Sequence, residues 1–228
     1  MSRNASLRIK LNGICDPDSR TAALDGGADF LGFIFTPHPT LRITPQLAGQ
    51  LTGSLPGSTS LVGIFRTPDD AEIEDALSHI PLDYIQLNGE EPPERAHALR
   101  QQFGLPIIKT IPLASRDDLQ QARAYEQAAD YLLLTARPAA NVRTLHAPTD
   151  HAFDWSILAG HSLHRPWFLG GGINAGNLSA ALVATGAQCL DITGGIMGGN
   201  GKPAPGPIRE ILAKRRDLSP ILSPVILE

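Results

Sequence analysis

Trp167-Phe168-Leu169-Gly170-Gly171-Gly172 and Cys189-Leu190-Asp191-Ile192-Thr193-Gly194-Gly195 are short apolar runs that each end in glycines, with a helical stretch from Ala175 to Ala184 between them. A short apolar run, an amphipathic segment and a second apolar run predict strand, crossover helix and parallel strand. Gly186 supplies the left-handed stop for that helix. The same unit recurs outward along the chain. Further candidate strands are Leu7 to Leu11, Phe30 to Phe35, Ser60 to Phe65, Tyr84 to Leu87, Ile107 to Ile111 and Tyr131 to Leu134. The total of about eight is the number that closes a parallel barrel.

The intervening helices are expected over Asp18 to Asp25, Pro45 to Leu55, Asp69 to His79, Pro92 to Phe103, Arg116 to Gln127, Trp155 to Ala159 and Ile208 to Arg215. Asp16-Pro17, Thr44-Pro45, Thr67-Pro68 and Ser115 before Asp117 and Asp118 supply start signals, by side-chain capping or an N1 proline. The fold class is therefore α/β, a single (βα)8 TIM barrel over residues 1–217. The segment 218–228, with Pro220 and Pro224, is expected as a tail docked on the barrel.

With 228 residues, 19 basic and 23 acidic side chains and no basic run, the chain carries no electrostatic footprint for nucleic acid or an anionic membrane. No apolar stretch is long enough to span a bilayer, and no apolar segment follows Met1-Ser2-Arg3-Asn4 to make a signal peptide. Two cysteines, Cys15 and Cys189, form no disulfide framework and no zinc spacing, which points to a reducing cytoplasm. Expected are a phosphorylated small-molecule ligand, no cofactor, no metal, and a monomer or homodimer.

In a barrel of this kind the reactive groups sit at the carboxyl ends of the strands. Those ends offer Asn12 and Gly13; Thr36, His38 and Arg42; Asn88, Glu90 and Glu91; Lys109; Leu134 and Thr135; and the two glycine clusters. Gly171 and Gly172 with Thr193, Gly194 and Gly195 predict a phosphate cradle, because backbone without Cβ atoms can turn its N–H dipoles onto an anion. Asp191, a carboxylate in an otherwise apolar strand, is expected at the mouth in a functional role. Gly198-Gly199-Asn200-Gly201-Lys202 departs from the Walker A pattern at Pro203 and is expected as a loop.

Lys10-Leu11-Asn12-Gly13-Ile14, Gly32-Phe33-Ile34-Phe35 with Arg42-Ile43-Thr44-Pro45, Ile85-Gln86-Leu87-Asn88-Gly89-Glu90-Glu91, Phe153-Asp154-Trp155, Leu169-Gly170-Gly171-Gly172-Ile173-Asn174 and Leu190-Asp191-Ile192-Thr193-Gly194-Gly195 occur in that order. Together they resemble the phosphoribosylanthranilate isomerases over about Leu7 to Arg215. The resemblance implies an enzyme of tryptophan biosynthesis that performs an Amadori rearrangement of a phosphoribosyl amine without metal or organic cofactor. It also implies substrate contacts from Arg42, Asn88, Asp191 and the glycine clusters.

The family's base cysteine corresponds to Asn12, its acid aspartate to Leu134, and its histidine after strand four to Asn88. His146 to Ala152 stands where the family has a glycine-rich loop. An amide and an alkyl group cannot exchange protons with a substrate. Replacements are sought in Cys15, whose position near a helix start suggests a depressed thiol pKa, in Asp191 and Asp16, in Thr135 and Arg137, and in the loop histidines His38, His146 and His151. Three readings remain open: a divergent isomerase of phosphoribosyl amines, a different phosphosugar enzyme on the same frame, and a non-catalytic barrel that binds a phosphorylated ligand.

Overall fold

The computed structural model describes residues 7–53, 55, 58–137, 154–160 and 163–222, with side chains given to 218. Eight parallel strands close a barrel in chain order: β1 (Arg8–Asn12), β2 (Phe30–Ile34), β3 (Ser60–Phe65), β4 (Tyr84–Leu87), β5 (Ile107–Leu113), β6 (Tyr131–Ala136), β7 (Trp167–Leu169) and β8 (Cys189–Ile192). Around it lie α1 (Pro17–Asp25), α2 (Pro45–Thr52), α3 (Asp70–His79), α4 (Pro93–Phe103), α5 (Asp118–Ala124), α6 (Leu178–Thr185) and α7 (Pro205–Leu222). Among the described residues, no helix is long and apolar enough to cross a membrane.

The helix starts follow their sequence signals with local shifts. Asp16 accepts from the Ser19 amide at 2.8 Å and Thr44 from Leu47 at 3.3 Å. At α3 the cap is Asp69, in a reciprocal box with Glu72, rather than the Thr67-Pro68 pair. At α5 Ser115 does not cap; Asp118 reaches back to the amides of Ala114 and Ser115 at 2.7 and 2.9 Å. The helix expected from Trp155 is a single 3-10 turn, Trp155–Leu158. The last helix continues beyond Arg215 to Leu222, into the expected tail, and Leu218 packs on the sheet–helix core; 223–228 lie outside the described residues.

Three aspartates fix the amino end of the barrel. Asp29, Asp83 and Asp130, each just before an even strand, accept from the opening amides of the preceding odd strands, Ile9, Leu61 and Ile107, at 2.7–2.9 Å. The strand registers then stack the inward side chains in layers, climbing about one residue per strand. From the amino end, the first ring is Phe30, Tyr84, Tyr131 and Cys189, and the second is Lys10, Val62, Ile108 and Phe168. The third is Gly32, Gln86, Leu133 and Asp191. Above them, at the carboxyl mouth, come Asn12, Ile64, Thr110 and Gly170, then Ile34, Asn88, Thr135 and Thr193.

The amino end is the aromatic, tightly held one. Phe30, Tyr84, Tyr131 and Phe168 meet at ring separations of 5.3–5.9 Å. The Arg8 guanidinium lies over Phe30 and Tyr131 and donates to the Tyr131 hydroxyl at 3.2 Å and Cys189 Sγ at 3.3 Å. Cys189 is a buried plug residue of this end, far from the mouth in layer order.

Candidate active site at the carboxyl mouth

Strand periodicity carries Lys10 inward into a ring whose other members are Val62, Ile108 and Phe168, so its ammonium has to reach upward for partners. It finds Asp191 Oδ1 at 2.6 Å and Asn12 Oδ1 at 2.5 Å. Lys10 is wholly buried and Asp191 is 7% exposed. Burial pulls the Lys10 pKa below its ordinary value, while the Asp191 charge and hydrogen bond work against that shift. Asn12 completes the link by donating from Nδ2 to Thr193 Oγ1 at 3.0 Å.

The space Asn12 occupies exists because β2 carries Gly32 beside it. A Cβ there would lie 2.2 Å from Asn12 Oδ1 and 2.9 Å from Ile64 Cδ1. Gly32→Ala is expected to destabilise the protein by about 1–3 kcal/mol through overpacking. Urea unfolding checks it: a midpoint equal to the native one would mean that Asn12 can move freely and does not pin Lys10.

On the opposite wall Asn88 Oδ1 accepts from Gln86 Nε2 at 2.8 Å and from Thr110 Oγ1 at 2.5 Å. Gln86 is fully buried, and its Oε1 has no hydrogen-bond partner among the described residues. Such an acceptor, in the same ring as Asp191, is an energetic liability unless a donor arrives.

Two glycine loops close the mouth. Gly171 and Gly172 take φ of +84° and +69°, and a Cβ on Gly195 would lie 2.1 Å from the Ile173 carbonyl oxygen, so the loops after β7 and β8 press backbone on backbone. Asn177 Nδ2 donates to the Gly172 carbonyl at 2.7 Å, fixing the first loop from α6. Among the described residues, the amides of Gly171, Gly172, Gly194 and Gly195 donate to none of the turn or loop carbonyls. Gly170 leaves a slot beneath them: a Cβ there would meet Asp191 Oδ2 at 3.4 Å and Thr135 Oγ1 at 3.5 Å.

Several expected site residues stand elsewhere. Leu134 is fully buried in the cluster between sheet and helices, facing away from the axis, while its neighbours Leu133 and Thr135 face inward. A strand alternates faces, so Thr135, not Leu134, holds the inward place at the carboxyl end of β6. Arg42 is exposed, bridges its backbone to Ile34, and lines a cavity with Phe35, Thr36 and Phe65 at the carboxyl ends of β2 and β3. Its neighbour Leu41 is the residue that enters the mouth, packing into the inner cluster against Gly13.

Cys15 packs against the sheet–helix cluster, and burial, reinforced by Asp16, pushes its thiol pKa up rather than down. This runs opposite to the depressed thiol pKa expected of it. His38 Nδ1 accepts from the amides of Thr40 and Leu41 and pins the turn that aims Leu41. Lys109 also faces outward, bound to Glu91 Oε2 and the Gly89 carbonyl, each at 2.6 Å, and Arg137 is paired with Asp118. His146 and His151 lie outside the described residues.

The mouth therefore brings together Asn12, Asn88, Asp191, Thr193 and the glycines; Arg42 stands exposed on the loop after β2, while Leu134 and Cys15 pack on the sheet–helix cluster. Sequence reasoning passed over Lys10, Gln86 and Thr110, and treated Thr135 only as a substitute acid. A lysine inside an apolar strand is the available signal for the first, since a buried ammonium demands a partner. Among the described residues, no cluster of three His, Cys, Asp or Glu side chains is arranged to hold a metal ion.

The family model for N-(5'-phosphoribosyl)anthranilate (PRA) isomerase matches residues 9–214. The N-(5'-phosphoribosyl)anthranilate isomerase of Rhodospirillum centenum is 40% identical over 207 residues, covering 91% of this chain and 97% of that one. That of Paracoccus denitrificans is 36% identical over 217 residues, covering 95% and 100%. Among solved structures, phosphoribosyl anthranilate isomerase from Thermotoga maritima superposes with a TM-score of 0.80 at 26% identity, over 93% of this chain and all of that one (100%). A solved complex of such an enzyme with reduced 1-(o-carboxyphenylamino)-1-deoxyribulose 5-phosphate gives 0.79 at 25% identity, again over 93% and 100%. Matched along nearly its whole barrel and sharing more than a third of its residues with the Rhodospirillum centenum and Paracoccus denitrificans enzymes, the chain belongs to the N-(5'-phosphoribosyl)anthranilate isomerase family.

Proposed function

We propose that the mouth binds a phosphorylated sugar or sugar amine, with the phosphate on the amides of Gly171, Gly172, Gly194 and Gly195 and the sugar over Asp191. In this reading the chain does not run the family reaction by the family's pair of proton carriers. The observation that carries it is Asn12. Its oxygen is taken by Lys10 and its nitrogen by Thr193, and neither atom titrates in the working range of an enzyme. On β6, Thr135 offers a hydroxyl, whose proton is far too weakly acidic to open a sugar ring.

A second reading is favoured by one feature, the free side of Asp191. Its Oδ1 is bound to Lys10, while Oδ2 faces the slot at Gly170. In that position a single carboxylate can pass a proton between neighbouring substrate atoms, which keeps a slow aldose–ketose isomerisation available. General acid or base groups each contribute about 10²–10⁴-fold, so one carrier in place of two leaves a rate lower by about that factor.

Thermal unfolding with inorganic phosphate and with ribulose 5-phosphate tests the binding, since a ligand of the native state alone raises the midpoint. No rise with either sinks it. Incubation with phosphoribosylanthranilate, followed by loss of its fluorescence, is expected to show nothing above buffer. Turnover abolished by Asp191→Asn would establish the second reading instead, and turnover indifferent to that change would overturn both.

A further inference from the structure

Glu91, on the loop after β4, is 3% exposed and forms a buried ion pair with Lys109 of β5 on the outer side of the barrel wall. A pair so deeply covered adds little stability by itself, because the desolvation of both charges offsets their attraction. Its geometry is the more telling property. Glu91 Oε1 accepts from the amides of Thr67, on the loop after β3, at 2.7 Å and of Gly89 at 3.1 Å, while Oε2 takes the Lys109 ammonium at 2.6 Å. The same ammonium donates to the Gly89 carbonyl at 2.6 Å and, more loosely, to that of Leu87 at 3.5 Å. Asn88, which faces the lumen, is thereby gripped through both of its chain neighbours. From α5 the Tyr125 hydroxyl donates to the Glu91 carbonyl at 2.9 Å. One glutamate thus fastens the loops after β3 and β4 to β5 and to the helix that follows it. Among the described residues Thr67 is also the one residue other than glycine with positive φ, +47°, a strained conformation for a β-branched side chain. Its amide is bonded to Glu91. At Gly89 a Cβ would lie 2.7 Å from Glu91 Oε1 and 2.8 Å from the Thr67 nitrogen, so the carboxylate sits where only glycine leaves room for it.

We infer that Glu91 and Lys109 are a positioning pair for the mouth, holding Asn88 and the strained turn at Thr67 in the geometry that receives the ligand. The pair acts through the backbone and touches no ligand itself. This rests on the binding reading above and extends it to residues behind the wall. Gln86 and Thr110 fix the amide group of Asn88, and the pair fixes the backbone that carries it. A binding group is only as well placed as the shell that supports it.

The test is calorimetric titration with ribulose 5-phosphate at a temperature where each variant is folded, alongside thermal unfolding. Glu91→Gln keeps the size of the side chain and removes its charge, whereas Gly89→Ala displaces the carboxylate without removing it. Both are expected to bind ribulose 5-phosphate about three- to tenfold more weakly than the native chain, the scale of one lost hydrogen bond. Asp83→Asn, which weakens a bond of the same 2.7 Å length at the amino end, is expected to lower the unfolding midpoint and leave the affinity native. That control separates positioning from stability. Native affinity in folded Glu91→Gln and Gly89→Ala overturns the inference while leaving the binding reading in place. An equal loss of affinity in Asp83→Asn overturns it too, since any loosening of the barrel would then act alike. No binding of ribulose 5-phosphate by the native chain removes the binding reading and the inference with it. If neither variant folds, hydrogen exchange on the native chain decides. The amides of Thr67 and Gly89 are expected to exchange slowly before ribulose 5-phosphate is added and no more slowly after, and fast exchange that the ligand suppresses overturns the inference.

Discussion

Lys10→Met is expected to destabilise the barrel by about 3–5 kcal/mol, because it leaves Asp191 charged, nearly covered and without its partner. Asn12 loses its donor in the same stroke, since its oxygen is bound to the same ammonium. Denaturant unfolding measures the loss. The double change Lys10→Met with Asp191→Leu is expected to recover most of it, because a buried ion pair replaced as a whole by apolar side chains is often neutral or stabilising. Recovered stability together with lost response to ribulose 5-phosphate would separate the two roles of the pair. If the single variant unfolds at the native midpoint, Lys10 is not a charged, structural member of the mouth.

The second large effect concerns one residue of register on β6. Leu134→Asp places a carboxylate among apolar side chains between sheet and helices, with an expected loss of about 3–5 kcal/mol, whereas Thr135→Asp, at the half-buried mouth, is expected to stay within about 1 kcal/mol of native. Combined with Asn12→Cys, the Thr135→Asp form is expected to turn over phosphoribosylanthranilate measurably above buffer, where the native chain gives nothing, each placed proton carrier being worth about 10²–10⁴-fold. The Leu134→Asp form with the same cysteine is expected to give no gain. Stability and fluorescence assays on the two pairs settle which residue faces the lumen, and a gain from the Leu134→Asp pair alone would contradict the strand register given above.

Those two neighbours show where sequence reasoning loses its grip. Leu132-Leu133-Leu134 is buried on both faces, as strands of a parallel barrel are, so no alternation of polar and apolar residues marks which leucine looks inward. The resemblance to known motifs fixed the strand but slipped by one position, enough to exchange the lumen for the helix layer. Leu41 and Arg42 repeat the difficulty: the charged member of the pair attracts attention, yet the apolar one enters the mouth. Cys15 failed for another reason, since its proximity to a helix start says nothing of how deeply the thiol is covered.

Where the local chemistry is unambiguous, the sequence was legible. Strand existence followed from short apolar runs, and the first two caps from Asp16 and Thr44 before proline. The glycines after β7 and β8 stand at the carboxyl ends of their strands as the strand pattern placed them, while the contact of the two loops, where a Cβ on Gly195 would lie 2.1 Å from the Ile173 carbonyl oxygen, was not read from the sequence. The length of α7 was not legible, because Pro220 reads as a terminator although the backbone continues helical past it.

The aspartate clamps on β1, β3 and β5 and the aromatic ring beneath Arg8 have a consequence for how such a chain can change. They secure the closure of the barrel at its amino end, opposite the carboxyl-end loops. Mutational drift at the mouth is thereby uncoupled from the integrity of the scaffold. A proton-transferring residue can be exchanged for an amide without dismantling the architecture around it, which leaves the lumen available for selection toward a different cargo.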